Sequence, residues 1–527
     1  MGLSCLGLAI VYLLLTPHLA LAIPKFGLGS FRSTPNQAPI GDLHNERTSA
    51  IKDAFSYAFS GYFSTCKGRD ELKPVSGECA DPFSGWGASA VDALSTAVIM
   101  ELEPIVEEVL DYIPTIDFTS SESQKDRLVS LFETTIRYLA GLLSAYDLLK
   151  GPFPISPKHS YKVEALLSQA KVLADRLKFA FDSPSGVPWN DLNFTHSDSH
   201  NIETNGLATT GTLVLEWQRL SDLTGDPEYG HLAQKAESYL LKPKPTYNVP
   251  FPGLLGTRIL TTDGTFEDAN GGWGGGDDSY YEYLIKMYAY DSFRYPHYRD
   301  SWIVAADSTM KYLASHPSSR PDLTFLAGYE NQTLVNSSSH LTCFDGGNFL
   351  LGGQVLSRAD YISFGLQLVD GCHETYAATA THIGPETFSW DDADLHANRA
   401  NQTAFYEKHG FYITNAAYVL RPEVIESYYY AYRVTGNKKY QDWAWDAFVA
   451  INETCRVGKG FSSINDVDAE GGGGFMDSQE SFVFAEVLKY TYLIHSDDGP
   501  WQVGYKGKQE FVFNTEAHPF KVAGPLV

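Results

Sequence analysis

Two stretches of this chain, LEWQRLSDLTGDPEYGHLAQKA at 215–236 and YYAYRVTGNKKYQDWAWDAF at 429–448, follow one pattern. Each has a helical segment, then Thr-Gly, then Asp or Asn, then two further residues, and then a Tyr that opens a second helical segment. Gly225 and Gly436 suit the left-handed conformation that ends a helix, and the Asp or Asn that follows can cap the next one. Each stretch is therefore predicted to be an αα hairpin.

Looser copies of the same pattern occur at 142–151 and 294–313. Hairpins that recur within one chain are typical of a closed ring of helices or of a helical array. The Gly-rich segments at 182–212, 262–278 and 456–475 would then be loops at the rim of such a structure.

The first 45 residues differ in composition from the rest. Residues 1–22 are apolar and end in Ala-Leu-Ala, which is typical of a secretory signal peptide cleaved after Ala22. Because this segment lacks Lys and Arg, an uncleaved signal anchor is the alternative. Residues 23–45 are rich in Pro and Gly and are predicted to be a leader strand or linker. No linker interrupts residues 46–527, which we predict to form a single domain.

Helical periodicity dominates that domain. In residues 129–149, Phe132, Ile136, Leu139 and Leu143 recur every three or four residues, which predicts an amphipathic helix. Residues 480–494 are apolar nearly all round, as expected of a helix that is buried on most sides.

The charge balance excludes several classes of partner. The chain has 64 Asp and Glu against 39 Lys and Arg, a formal net charge of −25. Such a surface repels phosphate backbones and anionic lipid, so we expect neither nucleic acid nor a membrane surface as a partner. An apolar share of 43% argues against a disordered acidic chain.

Cysteines and glycosylation sequons point to an oxidising compartment. Six cysteines include one in the signal segment, and the odd remainder indicates disulfides plus one free thiol. The simplest pairing is local, joining Cys66 to Cys79 and Cys343 to Cys372 and leaving Cys455 free. Sequons occur at Asn193, Asn331, Asn336, Asn401 and Asn452.

Carboxylates within apolar helical segments are the candidate reactive groups, because burial of a charge is costly and shifts its pKa. They are Glu133, Asp278 after the GGWGGGDD run, Glu423, Glu426, Glu480 and Glu486. Each alone can be a helix-end charge or a satisfied ion pair. Together with many Trp and Tyr residues they suit a carbohydrate site, because glycoside hydrolysis uses one carboxylic acid and one carboxylate.

Two further patterns are interpreted as loops. The segment 466–477 is similar to an EF-hand loop, but its fifth position is Glu470, its twelfth is Asp477 rather than Glu, and Gly-rich sequence fills its second half. His196 and His200 have a spacing seen in metal sites but lie in polar sequence beside a sequon.

Several segments resemble the class I α-1,2-mannosidases, the calcium-dependent inverting enzymes that trim high-mannose N-glycans. They are FETTIRYLAGLLSAY, DDSYYEYLIKMY, HLTCF, LRPEVIESYYYAYRVTGN, ESFVFAEVLKY and FNTEAHPF. The resemblance runs in order from about Arg47 to Phe520. It implies an all-α fold, a seven-hairpin (αα) barrel with a few short β segments in the rim loops, and one deep pocket along the barrel axis.

The resemblance also implies roles for individual residues. Glu133 would be the general acid, acting through a water molecule, Asp278 the next candidate for the acid, and Glu423 the general base. Thr515 would bind Ca²⁺ through its hydroxyl and carbonyl oxygens, with waters held by carboxylates such as Glu516. The positions that match the mannose subsite are Arg137, His340, Glu426, Phe482 and Glu486, and Cys343 and Cys372 match the disulfide of the family.

An inverting mechanism places its acid and base roughly 6.5–9.5 Å apart, with the attacking water between them. The acid must stay protonated near neutral pH. Arg137, one helical turn after Glu133, favours the ionised form of Glu133 and opposes that requirement. Whether Glu133 or Asp278 delivers the proton therefore stays open at this point.

One position departs from the endoplasmic-reticulum members that remove a single mannose. Those members carry Arg two residues before the Asp of the D-S-[YF]-Y-E-Y motif, where this chain has Gly276. We therefore expect an open pocket wall and removal of several mannoses. The alternative function is a lectin-like quality-control protein that binds high-mannose glycans with little hydrolysis.

The expected partners are high-mannose N-glycans on glycoproteins, and the expected compartment is the Golgi lumen or the exterior. After signal cleavage we expect no integral membrane span, because no later stretch has about eighteen apolar residues in a row. The chain is expected to act as a monomer.

Overall fold

The computed structural model describes residues 40–121, 128–194, 198–199 and 203–525, with side chains from Asn45 onward except at 198–199. The predicted signal peptide, residues 23–39 of the predicted leader, and His196 and His200 lie outside the described residues. The chain divides into two compact units, Met1–Leu43 and His44–Val527. Helix begins at Ile40, so residues 40–45 are helical rather than part of an extended leader.

Helices make up most of the described chain. They are α1 (Ile40–Cys66), α2 (Ala88–Ile99), α3 (Glu103–Tyr112), α4 (Leu131–Glu133), α5 (Ala140–Lys150), α6 (Ser160–Leu177), α7 (Leu207–Gly211), α8 (Val214–Thr224), α9 (Glu228–Leu240), α10 (Asp278–Tyr290), α11 (Pro296–Ser308), α12 (Asp345–Val355), α13 (Ala359–Ala377), α14 (Asp392–Asn398), α15 (Thr403–His409), α16 (Glu423–Thr435), α17 (Lys439–Thr454) and α18 (Leu488–His495). π-Helical turns occupy Thr134–Leu139, Thr309–Leu313 and Val483–Val487.

The strands are short and pair antiparallel in sheets of two or three. They are β1 (Glu71–Leu72), β2 (Cys79–Ala80), β3 (Val129–Ser130), β4 (Asp191–Asn193), β5 (Asp198–Ser199), β6 (Thr204–Gly206), β7 (Arg258–Leu260), β8 (Asn270–Gly271), β9 (Ala314–Ser315), β10 (Phe325–Leu326), β11 (Gly328–Glu330), β12 (Thr333–Val335), β13 (Ser337–Ser339), β14 (Thr387–Ser389), β15 (Tyr412–Asn415), β16 (Arg456–Val457), β17 (Gly460–Phe461), β18 (Phe511–Phe513) and β19 (Pro519–Lys521).

Seven helices of the second unit form a closed inner ring within the described residues. Helices α2, α5, α8, α10, α12, α16 and α18 pack against one another in that order, and the π-helical turn before α18 packs against α2. Helices α3, α6, α9, α11, α13 and α17 each pack outside the inner helix that precedes them. Helix α1 packs against the π-helical turn at Val483–Val487 through Phe55, whose ring lies 5.5 Å from that of Phe484. The predicted barrel of αα hairpins is confirmed.

Both hairpins that the Thr-Gly pattern predicts are present. Gly225 joins α8 to α9 with φ of 74°, and Gly436 joins α16 to α17 with φ of 67°. The Asp226 side chain accepts a hydrogen bond from the Glu228 amide at 3.0 Å, and Asn437 accepts one from the Lys439 amide at 3.0 Å. The turn is therefore encoded by a glycine that ends one helix and a side chain that starts the next.

The two helices predicted from periodicity are both elements of the inner ring. The first runs over 131–150 as α4, a π-helical turn and α5, after strand β3 rather than from residue 129. The second comprises the turn at Val483–Val487 and α18, in which every residue is buried. Because this helical segment belongs to the inner ring and is surrounded by other elements, its sequence is apolar on all faces.

Cysteine pairing agrees with the local prediction. Disulfides join Cys66 to Cys79 and Cys343 to Cys372, and Cys455 is free and buried at the end of α17. The EF-hand-like segment is a loop, in which Asp477 accepts hydrogen bonds from the backbone amides of Val75 and Ser76. Within the described ranges, no helix combines the length and the apolar character that crossing a membrane requires.

The hairpin glycines give a direct test of this account of the fold. A Cβ at Gly225 or Gly436 would meet no atom within 4 Å, so only the left-handed backbone opposes a side chain there. Gly225→Ala and Gly436→Ala should each lower the free energy of unfolding by about 1–2 kcal/mol, measured by denaturant titration. Asn, which tolerates this conformation, should cost less at both positions. An Ala variant as stable as the wild type would contradict the assigned role.

Candidate active site

One pocket of about 290 Å³ gathers most of the predicted site residues. Its walls include Asp278 and Glu423, the first residues of α10 and α16, and Glu133, in the first turn of the helix over 131–150. The N-termini of helices favour nearby negative charge, so the ring concentrates carboxylates at one end. The other predicted residues that line the pocket are Arg137, Glu426, Phe482, Glu486 and Thr515.

Glu423 is held in its ionised form by its neighbours. His340 Nδ1–H donates to Glu423 Oε2 at 2.6 Å, since a carboxylate can only accept. Burial opposes ionisation, but this hydrogen bond and the attraction of His340 and Arg421 outweigh it and lower the pKa of Glu423 below its ordinary value. A buried carboxylate that stays charged can act as a general base.

His340 differs from its predicted place. It was expected in the wall of the sugar subsite, but its side chain lies behind Glu423 and is only 2% exposed. Its second ring nitrogen is 2.8 Å from the hydroxyl of Tyr376, so both ring nitrogens are fixed. The histidine therefore orients Glu423 instead of facing the pocket.

Asp278 has the opposite ionisation. Burial, followed by repulsion from Glu282 and Glu423, raises the pKa of Asp278 to about 7, despite hydrogen bonds from the Ser279 amide and hydroxyl. Asp278 is therefore largely protonated in mildly acidic solution. One pocket thus holds a neutral carboxylic acid and a charged carboxylate, the pair that glycoside hydrolysis requires.

Glu133 is paired with Arg137. The Arg137 Nε donates to Glu133 Oε2 at 2.9 Å, while its Nη1 contacts Glu516 and donates to Ser481 Oγ at 3.1 Å. The guanidinium is 6% exposed and also lies 5.6 Å from the Phe482 ring. Arg137 and Glu133, one helical turn apart, are therefore in direct contact in the pocket.

The remaining acids of the pocket repel one another. Burial raises the pKa of Glu426 to about 8, and it raises those of Glu486 and Glu516 well above the ordinary value. Repulsion from Glu516 and Glu426 adds to the shift of Glu486, and repulsion from Asp92 and Glu133 adds to that of Glu516. Lys286 forms an ion pair with Glu282 and relieves only part of this charge. The pocket is therefore crowded with acidic side chains and attracts positive charge.

The donor chemistry at the pocket suits Ca²⁺, which prefers six to eight oxygen ligands. Thr515 brings a hydroxyl and a carbonyl oxygen to a wall that it shares with Glu486 and Glu516. In the described part of the chain, no three His, Cys, Asp or Glu side chains are placed to hold a metal ion together. The oxygen atoms of Thr515, Glu486 and Glu516 are the donors that this wall of the pocket offers to such an ion.

Gly276 has a conformational reason to be glycine. It lines the pocket with φ of 101°, in the left-handed region where other residues are strained. A Cβ there would lie 3.6 Å from Thr257 Cγ2, so the space itself is open. A longer side chain at 276 would require the loop to change its backbone path.

Several pocket residues were missed by sequence reasoning. Arg421 and Glu282 line the pocket beside the predicted acids, and Asp92 lies 3.7 Å from Arg137. The sequence could have indicated Glu282, because this residue lies one helical turn after Asp278. Asp92 lies on α2, on a different helix from Arg137, so no local spacing joins the two residues.

A ring of αα hairpins around a pocket with a neutral acid and a charged carboxylate defines a glycoside hydrolase. Residues 54–522 match the model of glycosyl hydrolase family 47, and the chain belongs to this family.

Relatives and a solved structure agree with that assignment. The chain is 58% identical over 506 residues to mannosyl-oligosaccharide alpha-1,2-mannosidase 1B of Aspergillus phoenicis, covering 96% of this chain and 97% of the relative. It is 58% identical to mannosyl-oligosaccharide alpha-1,2-mannosidase of Penicillium citrinum, covering 90% and 92%. The structure of alpha-1,2-mannosidase from Trichoderma reesei matches with a TM-score of 0.88 and 49% identity, over 91% of this chain and 99% of the other.

The contacts of Arg137 predict its contribution to stability. Arg137→Met would leave Glu133 and Glu516 without their cation in a buried setting, so the free energy of unfolding should fall by about 3–5 kcal/mol. Arg258→Met, which removes an exposed ion pair with Glu267, is the control and should cost less than about 1 kcal/mol. Equal stabilities of the two variants in denaturant titration would show that Arg137 does not balance this charge.

Proposed function

We propose that the chain hydrolyses terminal α-1,2-linked mannose from high-mannose N-glycans, with inversion at the anomeric carbon. The observation that carries the proposal is the opposite ionisation of Asp278 and Glu423 in one pocket. The names of relatives that are 58% identical over nearly the whole chain support mannose as the sugar. The family is an inverting one, which fits an acid and a base on opposite sides of the bond.

The residues divide the chemistry between them. Glu423, oriented by His340, accepts a proton from a water molecule, whose oxygen attacks the anomeric carbon. The bond from that carbon to the glycosidic oxygen breaks, and the leaving oxygen receives a proton from the acid. Phe482 presents a ring to the sugar, and Arg137 and the acidic residues of the pocket accept or donate hydrogen bonds to its hydroxyls.

We assign delivery of the proton to Asp278 rather than to Glu133. Burial and the repulsion of Glu282 and Glu423 raise the pKa of Asp278 to about 7, so Asp278 is largely protonated at mildly acidic pH, whereas Glu133 accepts a hydrogen bond from the Arg137 guanidinium at 2.9 Å. This reverses the order of the two candidates that the family resemblance implied. Glu133 would then orient Arg137 and the water molecules near the leaving oxygen.

The pH dependence of activity tests this assignment. The acid must be protonated and the base ionised, so kcat/KM should fall as pH rises through about 7, the pKa of Asp278. Asp278→Asn should lower kcat/KM by about 10²–10⁴-fold, the usual contribution of a general acid. Asp300→Asn, at an exposed carboxylate, should leave it unchanged. If Glu133→Gln abolished the fall at high pH while Asp278→Asn retained it, Glu133 would be the acid.

We also propose Ca²⁺ as the cofactor, held by Thr515 with water molecules oriented by Glu486 and Glu516. When bound, the ion supplies positive charge and ligates sugar hydroxyls, which favours a distorted ring. The repulsion among the pocket acids supports this, because a cation would relieve it.

Chelation tests the calcium proposal. Dialysis against a chelator should abolish mannose release and lower the melting temperature, and added Ca²⁺ should restore both, since a ligand that binds only the folded state stabilises it. Thr515→Val should reduce the rise in melting temperature that Ca²⁺ produces. Activity and melting temperature that are insensitive to chelator would refute the cofactor.

The open wall at Gly276 supports removal of several mannoses. No side chain projects from this position across the pocket, so different branches of a glycan can reach the acid and base. In a time course on a nine-mannose glycan, products with fewer than eight mannoses should accumulate. A clean stop at one eight-mannose isomer would refute this specificity.

The other proposed properties follow from the chain's composition and bonds. Residues 46–527 would be the catalytic domain behind a signal peptide and leader, with N-glycans at the five sequons. Two disulfides and the fungal relatives support the lumen of the secretory pathway or the exterior. Efficient release of mannose would exclude the lectin-like alternative, which the ionised Glu423 and neutral Asp278 disfavour.

A further inference from the structure

One lysine of the inner ring is completely buried. Lys489, on α18, is the only Lys or Arg within residues 480–494, and its side chain is 0% exposed. Burial of an amino group is unfavourable unless its N–H groups find acceptors. An apolar side chain would suit this otherwise apolar segment better, so the contacts of the amino group indicate why lysine is present.

The amino group of Lys489 joins three elements of the barrel. Its Nζ donates to the backbone carbonyl of Ala517 at 2.6 Å and to Ser95 Oγ at 3.0 Å. Ser95 belongs to α2, and Ala517 lies in the turn between β18 and β19. No carboxylate is among the hydrogen-bond partners of Lys489 in the described part of the chain. An ammonium group has three N–H donors and keeps two after it loses a proton, so these two contacts do not depend on its charge.

The turn between β18 and β19 has a backbone that needs support. Ala517 has φ of 56°, in the left-handed region that is unfavourable for a residue with a Cβ atom. The Asn514 side chain accepts hydrogen bonds through Oδ1 from the amides of Glu516 and His518, at 2.9 Å and 2.8 Å. These bonds close the turn from within, whereas Lys489 holds the Ala517 carbonyl from outside.

Ser95 supports the same turn at a second point. Its Oγ lies 3.0 Å from His518 Nδ1, and His518 Nε2 lies 3.3 Å from Asp92 Oδ1. Ser95 and Asp92 both belong to α2. Because Lys489 and His518 share Ser95, the turn is attached to both α2 and α18, where the inner ring closes.

This turn carries Thr515 and Glu516, which line the catalytic pocket. A residue that binds an ion through both its hydroxyl and its own carbonyl oxygen needs a fixed backbone. A change in the backbone at Ala517, two residues later, would reorient the peptide groups between them. Glu486 precedes Lys489 by three residues, so the lysine also links the segment that carries Glu486 to the turn.

We infer that Lys489 is a positioning residue that sets the affinity for Ca²⁺ by holding the turn that carries Thr515 and Glu516. Lys489 does not line the pocket, so it acts through the turn rather than on the ion or the sugar. The inference rests on the proposed calcium cofactor. A lysine that served only stability would change the free energy of unfolding and leave the affinity for Ca²⁺ unchanged.

Calorimetric titration of the calcium-free full-length protein with Ca²⁺ tests the inference. Lys489→Met keeps a buried stem of similar length and removes the donor, so the Kd for Ca²⁺ should rise by about tenfold. Ser95→Ala removes one acceptor and is a milder change, so Kd should rise by about threefold. At saturating Ca²⁺, kcat should return close to the wild-type value in both variants, because neither residue touches the substrate.

Lys162→Met is the matched control. Lys162 is 7% exposed and donates to Glu107 at 2.6 Å from α6, in the outer layer, so its loss should lower stability and leave Kd unchanged. A wild-type Kd in folded Lys489→Met, or an equal rise of Kd in Lys162→Met, would overturn the inference alone. If Lys489→Met does not fold, Ser95→Ala decides, and a wild-type Kd there would overturn it. Absence of Ca²⁺ binding to the wild type would instead refute the cofactor, and this role of Lys489 with it.

Discussion

The ion contacts of Arg137 are the constraint on which the pocket depends. This one guanidinium contacts Glu133 and Glu516, donates to Ser481 and lies 3.7 Å from Asp92. Asp92 comes from α2 and Glu133 from the helix over 131–150, whereas Ser481 precedes the π-helical turn at Val483–Val487 and Glu516 lies in the turn between β18 and β19. Because an uncompensated buried charge is very unfavourable, this cation fixes the mutual positions of elements that are distant in sequence. Arg137 does not contact Glu426 or Glu486, whose pKa values are raised by burial and by repulsion from other acids.

The barrel explains how such a concentration of charge is possible. Parallel inner helices present their N-termini at the same end, where backbone dipoles favour anions. The residues that surround each acid then give chemically similar carboxyl groups different pKa values. Glu423 receives a hydrogen bond from a fixed histidine and stays charged, whereas Asp278 faces other acids and stays neutral. One architecture therefore supplies both the acid and the base.

The hairpins could be predicted because their signals are local: a glycine that ends one helix and an Asp or Asn two residues before the amide that it caps. The partners of the site residues could not. His340 and Glu423 are 83 residues apart, and Arg137 and Ser481 are 344 apart, so only the closed ring brings them together. The placement of His340 beside the base and the left-handed φ of Gly276 depend on this tertiary packing.

The stereochemistry of the released sugar tests the central claim most directly. An acid that protonates the leaving oxygen and a base that activates a water molecule on the opposite face invert the anomeric carbon in a single displacement. Proton NMR at the onset of hydrolysis of an α-1,2-linked mannose disaccharide should therefore show β-mannose as the first product, before mutarotation. First appearance of α-mannose would require a covalent intermediate on a carboxylate and would contradict the roles of Asp278 and Glu423.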